Sequence, residues 1–358
     1  MRQCIYSRLF WIKKNGNKKG MRSMSNQPIR VGIVGSGVVA QIIHLPWLSR
    51  QEDIQVVALC ETDVRKATMV AKRFSVPNIY QDIEDMFNRE DLDVAFILTP
   101  TNMHLPMALL ALKHGCHVFI EKPVARNARE AQKIAEAARK ADRHVMVGMQ
   151  NRFRADVEPI KTFLEDNQLG DVFFVKTGWL QTGEKLDKSS WVFNKKIAGG
   201  GVLLDLGIQL LDLAWWMNGK PNLVSVSASS TNIKPDLEVE DYLSAYLTFD
   251  NGMTLFGEFS WAFPIGKDRF YLDFFGKKGS SWLSPLRIQR LWRGQVLNIT
   301  PDVKIHPRSI FKKSYETELQ HFFDFLRGDV ETLISPIDEA VTVMEMIDKI
   351  YQALENQG

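Results

Sequence analysis

Residues 31 to 40 read Val-Gly-Ile-Val-Gly-Ser-Gly-Val-Val-Ala, an apolar run that passes straight into a glycine turn and then into a helix start. No other segment restricts the possible folds as strongly. The pattern is G-x-G-x-x-A: Gly35 permits a tight turn, Gly37 lets backbone approach a pyrophosphate, and Ala40 is small enough for the helix to pack on its strand. Ser36, Val38 and Val39 complete the set expected around the phosphates, because the first turn of a helix carries unpaired N–H groups and the positive end of its dipole. A second apolar run, Val56 to Cys60, ends in Glu61, where a βαβ unit places the carboxylate that accepts hydrogen bonds from an adenosine ribose. Strand, turn, helix, strand and acid follow in order, which points to a bound dinucleotide.

Bulk properties narrow the class. At 358 residues the chain exceeds one ordinary hydrophobic core, so two domains are expected. No stretch approaches eighteen uninterrupted apolar residues, and Asp205 and Asp212 break the longest candidate, so no membrane span is expected. Cys4, Cys60 and Cys116 show no C-x-x-C spacing, which argues against a disulfide framework or a zinc site and for a reducing cytoplasm. No H-E-x-x-H or G-x-S-x-G pattern occurs, so neither a metal nor a serine nucleophile is expected.

The net charge of +3 is misleading as a whole-chain figure. Seven of the 45 basic residues fall within residues 1 to 28, which hold no acid, leaving 38 basic against 42 acidic in the rest. The folded body therefore carries no nucleic-acid footprint. The basic start lacks the apolar core of a targeting peptide, and Met21 and Met24 stand just ahead of Ile29. Residues 1–27 are expected to be a disordered extension or an over-long start.

Along the chain, apolar runs at Val31 to Val34, Val56 to Cys60, Val94 to Leu98, Val118 to Ile120 and Val145 to Gly148 alternate with helical patterns. This predicts an α/β, doubly wound parallel sheet over residues 28–150. Helix boundaries are marked by Lys113-His114-Gly115 at one end and by Asn127 with Glu130 at another start. After Arg152 come longer alternating runs, Asp171 to Leu180, Leu223 to Thr231, Tyr242 to Phe249, Met253 to Phe263 and Phe270 to Phe275, with Asp250-Asn251-Gly252 as a hairpin signal. Helical pattern returns at Tyr315 to Leu326 and Ile337 to Leu354. Residues 151–358 thus read as an α+β substrate domain with a mostly antiparallel sheet, its last helix placed to pack back on the first domain.

Ligands of open α/β sheets lie beyond the carboxyl ends of the strands. There the chain carries Thr99-Pro100-Thr101-Asn102-Met103-His104 and Glu121-Lys122-Pro123. Taken singly, the first also fits a helix cap and Lys122 also fits a solvated loop lysine. Together, the Gly35 turn, Glu61, Thr99-Pro100 with His104, the run from Gly115 to Glu121-Lys122-Pro123, and Gly199-Gly200-Gly201 with Asp205 resemble the glucose-fructose oxidoreductase, inositol dehydrogenase and rhizopine catabolism (Gfo/Idh/MocA) family. The resemblance runs from Ile29 onward and is specific for the family, not for one substrate.

It implies an NAD(P)-dependent oxidoreductase acting on a sugar, polyol or derivative, in a homodimer or homotetramer. Lys122 would stand between nicotinamide and substrate hydroxyl, with Pro123 fixing the bend, in the family often through a cis bond. The cofactor would be met by Gly35, Ser36, Gly37, Val38, Val39, Glu61, Thr99, Pro100, Asn102, His104, Glu121, Lys122, Gln150 and Arg152. Arg152 equally fits an interdomain ion pair. Glu61 implies NAD over NADP, since a carboxylate repels a 2′-phosphate, although Arg65 nearby pulls the other way.

Asp205, Gln209 and Asp212 are the polar residues in an otherwise apolar run, at i, i+4 and i+7, a spacing that predicts a narrow polar stripe lining a cavity. In the family a histidine commonly stands four residues after the aspartate. Gln209 cannot exchange a proton at neutral pH, so Lys122 or Asp205 must carry it, with Gln209 orienting a hydroxyl. Trp191 is the aromatic expected against a sugar ring, and Trp179 and Trp261 are further candidates. Two other readings remain at this level: a non-oxidative, glycosidase-like enzyme that recycles its NAD, and a cofactor-binding sensor.

Overall fold

The computed structural model describes residues 27–183, 190–303 and 307–356. Apart from Gln27, the expected N-terminal extension lies outside them. Six strands, β1 (Ile29–Val34), β2 (Ile54–Cys60), β3 (Asn78–Tyr80), β4 (Val94–Ile97), β5 (His117–Glu121) and β6 (Val145–Gly148), form a parallel sheet in the order β3-β2-β1-β4-β5-β6. Helices cover both faces, which is why β4 and β6 are buried at every position and read as unbroken apolar runs. The order reverses between β1 and β4, and there a crevice opens at the carboxyl ends. Asn127 caps the helix Ala128–Ala141 by accepting from Glu130 N at 2.9 Å, and Gly115 leaves the preceding helix at φ +79°. Strand β3 is not marked in the sequence, because its three residues are not buried and carry no periodic pattern.

Eight further strands form the second sheet: β7 (Val172–Leu180), β8 (Leu223–Thr231), β9 (Tyr242–Phe249), β10 (Thr254–Ser260), β11 (Arg269–Gly276), β12 (Gly279–Leu283), β13 (Leu286–Trp292) and β14 (Gln295–Asn298). Their order is β14-β13-β12-β11-β7-β10-β9-β8, antiparallel except for the β7/β10 pair. The run from Met253 to Phe263 shrinks to β10 because Trp261 turns into the cleft, after which only an isolated bridge, Ala262 to Thr182, continues the pairing. Strands β12 to β14 were not expected, since glycine, proline and arginine interrupt their pattern. One face of the sheet is dry: Ala245, Thr177 and Leu272 align across it and are buried. On the other, Tyr246, Phe256, Lys176, Asp273 and Trp282 form a cross-strand row that stays partly open.

The segment Lys195–Met217 lies against the dry face. It is long and apolar enough to cross a membrane by length and composition, but most of it is buried inside the protein. A π turn at Leu203–Gly207 precedes the regular helix Ile208–Met217. The last two helices return to the first sheet. In Pro307–Arg327, Phe322 and Phe323 pack on Phe96 and Phe119. Ser335, just before Ile337–Glu355, accepts from Val147 N at 3.0 Å and donates its hydroxyl to Val147 O at 2.8 Å.

Candidate active site

A cleft of about 930 Å³ runs from the glycine turn to the second sheet. At one end Gly35 adopts φ +90°, and a Cβ there would meet Leu98 O at 2.9 Å, so only glycine fits. Gly37 lies clear, since a Cβ would come no nearer than 4.0 Å to Leu98 O. The amides of Val38 and Val39 belong to a first helical turn and have no intrahelical partner there. This bare backbone cradle fits a pyrophosphate.

Beside it, Glu61 Oε2 accepts from Ser36 N at 3.1 Å and Ser36 Oγ at 2.8 Å, and pairs with Lys66 Nζ at 2.5 Å. Burial alone raises the Glu61 pKa, but the Lys66 and Ser36 bonds outweigh it and hold the carboxyl at about 2. It is therefore ionised at any working pH. In the cleft wall His104 sits between two loops, with Nδ1 2.9 Å from Pro123 O and Nε2 2.8 Å from Thr99 O.

At the other end Lys122 projects from the loop after β5, where the Lys122–Pro123 peptide is cis. Its Nζ donates to Asp205 Oδ1 at 2.7 Å and to Asp205 O at 3.0 Å. An ammonium has three donors, so one remains for an oxygen in the cleft. Asp205 Oδ2 accepts from Trp261 Nε1 at 2.9 Å. Burial pushes the Asp205 pKa up, but the Lys122 charge and the two hydrogen bonds outweigh it, leaving the carboxyl below its ordinary range. Glu121 is held from behind, 2.8 Å from His44 Nε2, and Gly148 leaves it room, since a Cβ there would sit 3.2 Å from Glu121 Oε2. Tyr315 completes the wall.

Gly35, Ser36, Gly37, Val38, Val39, Glu61, Thr99, Pro100, His104, Glu121, Lys122, Trp191 and Asp205 all line this cleft. Asn102, Gln150, Arg152 and Gln209 do not, and the expected polar stripe is split. The π turn at Leu203–Gly207 takes in an extra residue, which rotates everything after it away from the face that Asp205 occupies. Gln209 is buried, accepting from Gln150 Nε2 at 2.8 Å and Asn151 Nδ2 at 3.2 Å and donating to Asp205 O at 2.9 Å. Arg152 Nε donates to Asp212 Oδ2 at 2.8 Å, and the same guanidinium bonds Glu339. These residues join the two domains behind the site. Sequence reasoning did not assign roles to Lys66, Tyr315 or His44. Lys66 carried a usable signal, lying five residues after Glu61 on the following helix, whereas the other two reach the site only through tertiary packing.

The glycine run has a packing cause. A Cβ on Gly200 would lie 2.1 Å from Tyr351 Oη, and one on Gly201 2.1 Å from Glu240 O. Glu240 accepts from Gly201 N at 3.0 Å and Leu203 N at 3.2 Å, capping the turn that delivers Asp205.

Residues 29–149 match the family described as "Oxidoreductase family, NAD-binding Rossmann fold", and residues 157–281 match the "GFO/IDH/MocA C-terminal domain". The chain is 26% identical to D-glucoside 3-dehydrogenase of Escherichia coli (strain K12), covering 93% of this chain and 97% of that protein. Its fold is similar to levoglucosan dehydrogenase solved with NADH and levoglucosan, with TM-score 0.82, 20% identity, and 93% and 98% coverage. It is also similar to an oxidoreductase from Agrobacterium radiobacter in complex with NAD+, L-tartaric acid and magnesium, with TM-score 0.81, 19% identity, and 93% and 98% coverage. The glycine cradle, the lysine after β5 and the aspartate delivered by the second domain are thus those of a member of the Gfo/Idh/MocA oxidoreductase family, to which this chain belongs.

Proposed function

We propose that the chain is an NAD-dependent dehydrogenase that interconverts a carbinol and a carbonyl on a sugar, polyol or derivative. The observation that carries this reading is the Lys122–Asp205 pair, placed in one cleft with the pyrophosphate cradle. Nicotinamide, when bound, supplies the two-electron chemistry. Lys122 holds the reacting oxygen with its remaining N–H and exchanges a proton with it. Asp205 is the acceptor beside it, and Trp261 fixes which carboxylate oxygen faces the lysine. Gln209 serves by position, anchoring the Asp205 main chain from inside the protein.

The ionised Glu61 carboxylate favours NAD, since the 2′-phosphate of NADP would approach a fixed negative charge. The partly open sheet row of Tyr246, Phe256 and Trp282 supports a homodimer or homotetramer, with a second copy covering that face. Cys60 and Cys116 are free and buried, in keeping with a reducing, cytoplasmic setting.

The test is direct. Purified protein should quench or enhance NADH fluorescence saturably and raise absorbance at 340 nm with NAD and a neutral sugar or polyol panel. Saturable binding without turnover of any carbinol would favour the sensor reading, and absence of binding would end the assignment.

A further inference from the structure

The half of the cleft beyond Lys122 has an uneven chemical lining. The polar lining there is Lys122 and Asp205, with Tyr315 beside them. The apolar lining includes Trp191, Val192 and Leu204, with Gly200 and Gly201 adding bare backbone. Trp191 is 38% exposed although it is a large apolar ring, and it lines the cleft.

The charges decide what such a lining accepts. Among the described residues, Lys66 and Lys122 are the only lysine or arginine side chains that line the cleft, and each is already paired with a carboxylate. Of the carboxylates that line it, Glu61 and Asp82 lie at the cofactor end, whereas Glu121 and Asp205 both bond Lys122, through its backbone N–H and its ammonium respectively. At the reacting end the Lys122 charge is cancelled by Asp205 at 2.7 Å. A carboxylate or phosphate on the substrate would leave water with no unpaired cation among the described lining residues to meet it, and would approach Asp205 and Glu121, a cost that grows as the site dries. A hydroxyl meets no such penalty, because ionised Asp205 accepts from it.

Resting on the dehydrogenase reading above, we propose that the substrate half of this cleft selects uncharged pyranosides and rejects sugar acids and sugar phosphates. The ring lays its C–H face on Trp191 and turns its hydroxyl rim to Lys122, Asp205 and Tyr315. The flat indole supplies contact area to the apolar face of a sugar without demanding charge.

The experiment is calorimetric titration of the full-length protein saturated with NADH. Three ligands sharing one ring are compared: a methyl hexopyranoside, the corresponding methyl hexopyranosiduronate, and the 6-phosphate of the parent. Gluco, galacto and manno series are run, so that stereochemistry does not mask the result. The neutral ring should bind at least tenfold tighter than either anion in the series that binds best. Trp191→Ala should weaken the neutral ring roughly fivefold to tenfold while NADH affinity stays within twofold.

Equal or tighter binding of an anion overturns the charge argument. A silent Trp191→Ala overturns the stacking argument, and uptake of NADH with no pyranoside bound overturns both. Failure to bind NADH at all strikes the dehydrogenase reading itself and is seen before any sugar is added.

Discussion

The two ends of the cleft are built from the same unit, a lysine against a carboxylate, but by opposite routes. Glu61 and Lys66 lie on one strand end and the helix that follows it, and their 2.5 Å contact needs nothing beyond a single β-α connection. Lys122 and Asp205 are 83 residues apart and meet because the second domain docks its π turn over the end of β5. The cofactor end is therefore a property of the first domain, and the reacting end a property of the junction. A chain that lost interdomain fit would keep its nucleotide affinity and lose its chemistry.

The largest expected effect tests that division at its centre. Lys122→Ala should lower kcat/KM by about 10²- to 10⁴-fold, the usual contribution of a positioned proton-transfer group. NADH affinity should change by less than about threefold, because the cradle at Gly35 lies at the other end of the cleft. Steady-state rates and fluorescence titration on the same preparation check both numbers. A matching loss of NADH affinity would show that the two ends are one unit, and unchanged turnover would remove Lys122 from the reaction.

The same division explains what was legible in the sequence. The glycine turn, Glu61, the caps at Asn127 and Gly115, and strands β8 and β9 follow from local pattern, and the structure places each where the sequence put it. The spacing of Asp205, Gln209 and Asp212 misled because a straight α-helix was assumed. A single π turn breaks the register, and nothing local in Leu203–Gly207 announces it. Arg152 is ambiguous for a similar reason: a guanidinium after a strand end serves a ligand or an ion pair equally well in sequence. In the structure its guanidinium bonds Asp212 and Glu339, sixty and 187 residues further on, which is the ion-pair arrangement. Glu121 and His44 show the same limit, since a buried pair between residues 77 apart leaves no periodic trace.

At the cofactor end, a smaller effect sharpens the comparison. Because Glu61 is ionised, two unit charges near 4 Å repel by roughly 1 kcal/mol in water and about 4 kcal/mol in a half-buried setting, a factor of about five to several hundred. Glu61→Ala should therefore raise NADPH affinity by about tenfold or more, with NADH affinity falling only a few-fold. Lys66→Ala should act in the opposite sense on NADPH. Fluorescence titration of both nucleotides against both variants gives the answer. Should the unaltered protein already bind NADPH as tightly as NADH, Lys66 outweighs Glu61 and the cofactor end admits both.

A third carboxylate, Glu318 on the returning helix, has no lysine or arginine salt bridge among the described residues and so isolates what pairing does for the other two. Burial, reinforced by the negative charge of Glu121, pushes its pKa well above the ordinary carboxylate range, with the Met149 backbone and Arg152 offsetting only part. Below about pH 4 the carboxyl is protonated in the folded and unfolded chain alike, and it costs nothing. As pH rises past that point the unfolded chain ionises first, so Glu318 progressively destabilises the fold until its own raised pKa is reached. Glu318→Gln removes the ionisation while keeping the shape. Its melting temperature should match that of the unaltered protein near pH 4 and exceed it by a few degrees at pH 8, the gap opening steadily between. Thermal unfolding across that range checks the slope: a constant gap would mean that Glu318 acts through packing alone, and a gap that closes with rising pH would place an unseen cation beside it.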